Sequence, residues 1–243
     1  SSIMSIPYIL VCDGMDKDVF SDLKNDSSFE VFGEPKNSQD VIAKEKKRAS
    51  ALIIRSATKT TKEFLADCPN LKYIIRAGEG TDNIDKAYCK EVGIKVSNTP
   101  GANNNSAAEH ALALMMTLLR KTAWANNSMQ AGEWDKAAFT GNELWKKKIG
   151  IVGFGRIGQL LAKRLTGFEP EITYFDPFIK EHDIAYSNIR RTENLEELFA
   201  NSDAISIHVP LNDHTKNLVN ESLLSKMKPG AVLVNAARGG IVN

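Results

Sequence analysis

Ile149-Gly150-Ile151-Val152-Gly153-Phe154-Gly155-Arg156-Ile157-Gly158 is the stretch on which the fold turns. An apolar, β-branched run leads straight into a Gly-x-Gly-x-x-Gly spacing, and Arg156 to Leu165 continues as a helical stretch. Strand, glycine turn and helix in that order give each glycine a physical task. Gly153 permits the tight turn, Gly155 lets backbone approach a pyrophosphate, and Gly158 lets the helix pack closely on the sheet. The first helical residues, Arg156 and Ile157, lie at the helix N-terminus, where unpaired amides and the positive dipole end suit phosphate. Glycines so spaced also serve a ligand-free strand–helix turn, and the next strand decides between the two. Glu171-Ile172-Thr173-Tyr174-Phe175 ends at Asp176. A carboxylate there accepts hydrogen bonds from ribose hydroxyls and repels a 2′-phosphate, so the motif predicts NAD over NADP. The competing role for Asp176 is a plain turn residue before Pro177.

The same pattern extends in both directions. Short β-branched or aromatic runs precede the motif at Tyr8–Cys12, Phe29–Phe32, Ala51–Ile54, Tyr73–Ile75 and Ile94–Val96. Polar helix-length segments, such as Val41–Arg48 and Thr60–Asp67, separate most of them. Runs at Ala204–Val209 and Ala231–Val234 follow it. Strands alternating with helices imply parallel sheets covered on both faces, and two such sets imply two α/β domains. The turn-rich segment Asn98-Thr99-Pro100-Gly101-Ala102-Asn103-Asn104-Asn105 places the boundary near Pro100, with domains at 1–100 and 101–243. Ser106-Ala107-Ala108-Glu109 has the spacing of a capping box. The following helix is expected from Ala107 to about Met129. It is apolar on nearly all sides through Leu119, which predicts burial between domains or in a subunit interface.

Composition narrows the function classes. Lys+Arg 31 against Asp+Glu 30 leaves a net charge of +1, which argues against a nucleic-acid binder driven by bulk charge. The apolar run Ala107–Leu119, interrupted by Glu109 and His110, is too short for a membrane span. Three scattered cysteines, Cys12, Cys68 and Cys89, suggest neither a disulfide framework nor a zinc site. A reducing cytoplasm is the expectation, with no metal.

Val234-Asn235-Ala236-Ala237-Arg238-Gly239-Gly240-Ile241-Val242 resembles the N-x-x-R-G-x-x-V signature of the D-isomer-specific 2-hydroxyacid dehydrogenases. Asn98-Thr99-Pro100, Ser106–His110, and His208-Val209-Pro210 with Thr215 resemble further motifs of that family, in order, from about Leu52 to the end. Arg55–Thr60, Arg76–Asn83 and Trp134-Asp135-Lys136 resemble segments of its D-3-phosphoglycerate dehydrogenases, which act in serine biosynthesis.

The resemblance implies two Rossmann-like domains, one flavodoxin-like and one NAD-binding, with a cleft between them. It also implies hydride transfer between C2 of a small, phosphorylated 2-hydroxy acid and NAD. Arg238 is the implied catalytic group, its guanidinium gripping the substrate carboxylate or 2-oxygen. Arg55, Ser56, Asn103 and Lys136 are the implied phosphate ligands; surface or turn roles compete at Arg55, Asn103 and Lys136. Gly78, Glu79 and Gly80 would hold the substrate carboxylate through backbone amides, with Glu79 also facing the cofactor. His208, Val209, Pro210, Thr215, Ala236, Ala237 and Arg238 would join Gly153, Gly155, Arg156, Ile157, Gly158 and Asp176 around NAD. His110 and His208 are expected to be packed or hydrogen-bonded, and His182 and His214 to lie on the surface or in loops. Other D-2-hydroxyacid dehydrogenases, such as glyoxylate/hydroxypyruvate reductase or D-lactate dehydrogenase, remain alternatives. So does an NAD-sensing corepressor-like scaffold. A homodimer or larger homo-oligomer, joined near the Ala107 helix, is implied. The family's Glu-paired His acid/base belongs downstream of the arginine motif and does not occur by Asn243. The expectation is a natural polypeptide that continues, with a degenerate copy as the other possibility.

Overall fold

The computed structural model describes residues 6–243 except Glu79, Pro100 and Ala102. Pro100, where the boundary was expected, therefore lies outside the described residues. The chain divides into two compact units, Ser1–Asn103 and Asn104–Asn243.

The N-terminal unit alternates β1 (Tyr8–Val11), α1 (Lys17–Asn25), β2 (Glu30–Phe32), α2 (Gln39–Glu45), β3 (Ala51–Ile54), α3 (Lys62–Ala66), β4 (Tyr73–Arg76), α4 (Lys86–Val92) and β5 (Lys95–Asn98). The strands are all parallel, in the order β2-β1-β3-β4-β5. β1 and β3 are buried along their whole length, which is why their sequences are continuous apolar runs and not alternating ones. One core holds Leu10, Leu52, Ile54 and Ile74, and the other Ile9, Val11, Phe20 and Ile53, so successive residues of a strand feed opposite faces. Oxygen-bearing side chains stop the helices at their N-termini: Asp16, Ser38, Thr61 and Asp85 each accept from an amide of the first turn.

The C-terminal unit opens with α5 (Asn104–Arg120) and α6 (Thr122–Gln130). It continues with β6 (Lys148–Val152), α7 (Arg156–Leu165), β7 (Glu171–Phe175), β8 (Ile189–Thr192), α8 (Leu195–Asn201), β9 (Ala204–Ile207), α9 (Glu221–Leu224) and β10 (Val232–Asn235). Its parallel sheet runs β10-β9-β6-β7-β8. Counted from its own first strand this is 3-2-1-4-5 read from the β8 side, the dinucleotide-binding order. The N-terminal unit has the flavodoxin-like order. The two α/β domains expected from the strand–helix alternation are thus present, each with a five-stranded sheet.

Five local expectations need correction. β8 was not anticipated, because Ile189-Arg190-Arg191-Thr192 carries two charges. Among the described residues it is an edge strand paired with β7 alone; Arg190 is exposed, and Arg191 turns back to donate to the Asp176 carbonyl. The single helix expected from Ala107 to Met129 is two helices, broken at Lys121 with φ 55°. The Leu119 carbonyl accepts from the Asn142 amide at 2.9 Å, and Gly141 lies so close that a β-carbon there would overlap the Leu119 oxygen. A returning loop therefore intercepts the helix end. α5 buries one stripe, Asn104, Ala108, Ala111, Met115 and Leu119, and not its whole circumference. His110 is exposed, contrary to the packed role expected for it. Ser106 lies inside α5, which begins at Asn104, so it is not the helix cap. No helix among the described residues is long and apolar enough to cross a membrane.

The displaced cap has a measurable consequence. Ser106→Ala is expected to change stability by less than about 0.5 kcal/mol, against about 1 kcal/mol for loss of a true N-cap. Urea unfolding of the two chains checks this, and a loss of the larger size contradicts the observed helix start.

Candidate functional site

In the C-terminal unit the sheet order reverses direction between β6 and β9, and ligands of such sheets bind at the carboxyl ends of the strands there. Gly153 follows β6 and His208 follows β9. The two touch: the His208 amide donates to the Val152 carbonyl at 2.6 Å, and a β-carbon on Gly153 would overlap the His208 carbonyl. Gly153 has φ 91°, so no other residue is accommodated without strain. A β-carbon on Gly158 would overlap the Gly153 carbonyl, which ties the helix to the turn. Gly155 has open space where its β-carbon would stand, and α7 has no side-chain cap. The residues thus fit a pyrophosphate: a backbone turn bare of side chains, ending on uncapped helix amides at Arg156 and Ile157.

Asp176 does more than the sequence suggested. Its Oδ2 accepts from the Phe154 amide at 2.7 Å, and its Oδ1 accepts from the amides of Phe178 and Ile179 at 2.8 and 3.0 Å. The carboxylate pins the glycine turn to the end of β7. Of its roughly four acceptor positions, three are filled by backbone, leaving one on Oδ2 for a ribose hydroxyl. Phe154, to which the glycine spacing assigns no role, is fully buried and stacks on Tyr174 at 3.9 Å and 9°. His182, in a loop as expected, meets both rings edge-on and is half-buried.

The remaining loops sit at the same edge of the sheet. His208 shares a 2.7 Å hydrogen bond with Ser206, and burial pushes its imidazole down from 6.5 to about 4. Val209 and Pro210 lie beyond the strand, which ends at Ile207 and not at Val209. Thr215 closes their loop by donating to the Pro210 carbonyl and accepting from the Asn212 amide. His214 is exposed in that loop. After β10, Asn235 clamps the next turn with both ends of its amide: Nδ2 donates to the Arg238 carbonyl at 3.0 Å, and Oδ1 accepts from the Ala237 amide at 3.2 Å. Ala236 is exposed, and Arg238 is half-buried with Nη1 on the Ala237 carbonyl. Asn235 thus orients Arg238, a role the sequence signalled only by the spacing of the motif. Lys136 is exposed, 5.5 Å from the Trp134 ring.

In the N-terminal unit, Arg55 and Ser56 follow β3 and are exposed, and Gly78 and Gly80 follow β4, its neighbour. Among the described residues the Arg55 guanidinium has no hydrogen-bonded or ionic partner. The Gly78 amide donates to Thr99 Oγ1 at 2.8 Å. Glu79 lies outside the described residues. Asn103 is exposed. Burial pushes the thiols of Cys12 and Cys68 up to about 12 and about 11, so neither is a nucleophile near neutral pH.

Comparison with known proteins agrees with this geometry. Residues 112–243 match the model described as the D-isomer specific 2-hydroxyacid dehydrogenase NAD binding domain, and residues 9–152 match that family's catalytic domain. The chain is 42% identical to a hydroxypyruvate reductase of Thermotoga maritima, covering 96% of this chain and 74% of that one. It is 37% identical to a D-3-phosphoglycerate dehydrogenase of Mycobacterium tuberculosis, covering 99% of this chain and 45% of the relative, so it spans less than half of that protein. The solved NAD-dependent formate dehydrogenase of Staphylococcus aureus in complex with NAD superimposes with a TM-score of 0.85 at 32% identity, over 98% of this chain and 75% of that one.

Two outcomes follow from the glycine turn and from His208. Gly158→Ala is expected to abolish measurable NADH binding by calorimetry, since helix and turn must separate to admit the methyl; unchanged affinity contradicts the packing. The folded imidazole of His208 stays neutral to about pH 4, whereas the unfolded one protonates near 6.5. The unfolded chain therefore binds the extra proton as pH falls through that window, and stability is full above 6.5 and declines toward 4. His208→Gln should remove on the order of 3 kcal/mol of that decline, with NMR titration of the ring giving the midpoint directly.

Proposed function

The chain belongs to the D-isomer-specific 2-hydroxyacid dehydrogenase family, with NAD as its cofactor, and from that premise we propose that the protein interconverts a three-carbon D-2-hydroxy acid and its 2-oxo acid. NAD, when bound, supplies the hydride acceptor. The protein's own groups bind and orient. The Gly153–Gly158 turn and the α7 amides hold the diphosphate, and Asp176 takes a ribose hydroxyl while repelling a 2′-phosphate. Arg238, aimed by Asn235, pairs with the substrate's carboxylate or 2-oxygen and stabilises charge developing on that oxygen. The Gly80 amide adds a neutral donor for the carboxylate.

The substituent at C3 of the substrate separates two readings. The single observation that carries the phosphorylated one is Arg55, an exposed guanidinium without a partner among the described residues, next in sequence to the Ser56 hydroxyl. Arg55, Ser56, Asn103 and Lys136 would then surround a phosphate, and 3-phosphoglycerate is the substrate. The 42% identity to the Thermotoga hydroxypyruvate reductase favours the other reading, in which the C3 oxygen is a free hydroxyl and glycerate is the substrate. Two copies would pair through the C-terminal unit, whose Trp124, Met129, Trp134 and Trp145 are exposed apolar surface of the kind that interfaces cover.

Steady-state kinetics on the complete natural polypeptide distinguish the substrates. Under the phosphorylated reading, Arg55→Ala and Lys136→Ala each raise KM for 3-phosphoglycerate roughly tenfold or more, the size of a lost charge-assisted hydrogen bond, and barely change KM for D-glycerate. Preference of the unaltered protein for D-glycerate, with both variants unchanged, would establish the hydroxypyruvate reading instead.

A further inference from the structure

The N-terminal sheet reverses its winding between β1 and β3, so its own ligand crevice lies where these two strands end. Asp13 follows β1, and Arg55 to Thr58 follow β3. The Asp13 carboxylate bridges the gap. Its Oδ2 accepts from the Arg55 amide at 2.8 Å and from the Thr58 amide at 2.9 Å, while its Oδ1 accepts from the Thr58 hydroxyl. The opposite side of the same turn is held by Asn83. Its Nδ2 donates to the carbonyls of Arg55 and Thr58 at 2.7 and 2.8 Å, and its Oδ1 accepts from Arg76 Nε at 3.1 Å. Arg76 is itself buried and donates from Nη1 to the Ala77 carbonyl. Both amides and both carbonyls at the ends of the four-residue turn are therefore tied down by side chains from two distant places in the sequence.

We propose that Asp13 and Asn83, the latter braced by Arg76, are positioning residues that lock the Arg55–Thr58 turn in the conformation that presents Arg55 and Ser56 to the substrate. This rests on Arg55 being a substrate-binding group. A carboxylate at the end of the neighbouring strand could have paired with the guanidinium; it binds backbone instead, and the cation has no partner among the described residues. Thr58 and the backbone of Arg55 are held, whereas the side chains of Arg55 and Ser56 are exposed. A turn held this way does not pay an ordering cost when ligand arrives, which is how pre-organisation raises affinity. The role of Asp13 is one of shape and not of charge. Asparagine can keep all three contacts, its carbonyl oxygen accepting from both amides and its Nδ2 donating to the Thr58 hydroxyl.

The test is a variant series in the complete polypeptide with NAD saturating, using 3-phosphoglycerate and D-glycerate as substrates. Asp13→Ala and Asn83→Ala are expected to raise KM for the better substrate roughly ten- to a hundredfold, as loss of a supporting shell does, with kcat and the KM for NAD within about threefold. Asp13→Asn is expected to stay within about threefold of the unaltered protein throughout. If Asp13→Ala does not fold, as followed by thermal melting, Thr58→Val and Asn83→Ser carry the same comparison. Asp13→Asn as damaging as Asp13→Ala overturns the positioning role in favour of charge. KM unchanged in Asp13→Ala, or in both fallback variants, while Arg55→Ala raises it, overturns the proposal outright. An Arg55→Ala variant with unchanged KM for both substrates instead refutes the substrate role of Arg55, and the positioning role falls with it.

Discussion

Everything on the cofactor side depends on how the backbone leaves β6. At Gly153 it passes so close to the His208 carbonyl that a single β-carbon would collide, and it turns with a positive φ. The same carbonyl-to-glycine closeness recurs between Gly153 and Gly158, so α7 begins hard against the turn that feeds it. The Asp176 carboxylate then draws the Phe154 amide toward β7, and the buried Phe154 ring anchors the turn from beneath. With the flanks held, Gly155 is left facing open space. A phosphate needs such a surface: many N–H groups, no side chain in the way, and little freedom to lose on binding.

The N-terminal unit fixes its own turn by different means. Both sheets are parallel, so the helices cover their faces and only the strand ends are free to carry polar chemistry. The C-terminal unit removes side chains to let its backbone meet the ligand. The N-terminal unit keeps side chains, Arg55 and Ser56, and spends other side chains on the backbone beneath them. Arg238 follows the second strategy inside the first unit's neighbour in sequence: Asn235 grips the turn, and the guanidinium is what the turn carries. In each case an amide or carboxylate satisfies backbone groups that a tight turn would otherwise strand without partners.

Much of this was legible in the residue order. Strands buried in a parallel sheet are mostly apolar, so β1, β3, β6, β7 and β9 announced themselves, and their alternation with helices implied the class of fold. β8 stayed hidden because an edge strand exposed to water has no need of apolar residues. The start of α5 and its break at Lys121 were equally out of reach. One depends on which of several adjacent asparagines and serines enters the helix, and the other on a loop around Gly141 and Asn142 returning to take the Leu119 carbonyl. The hydrogen bond from the Gly78 amide to Thr99, a residue distant in the chain, was likewise out of reach.

The order of residues alone determined which groups exist and where glycine bares the chain: the Gly153–Gly158 spacing, an acid after the next strand, and a guanidinium at each of two strand ends. Those follow from local physics, since strand and helix periodicity and the conformational freedom of glycine act over a few residues. Which groups stay free for a ligand was decided only in three dimensions. Asp13 and Asn83 are far from Arg55 in the chain, and Asp176 is far from Phe154, yet each pair meets across a sheet. Hydrogen-bond partners of a turn are supplied by whatever the topology brings beside it, and topology is a property of the whole packed chain.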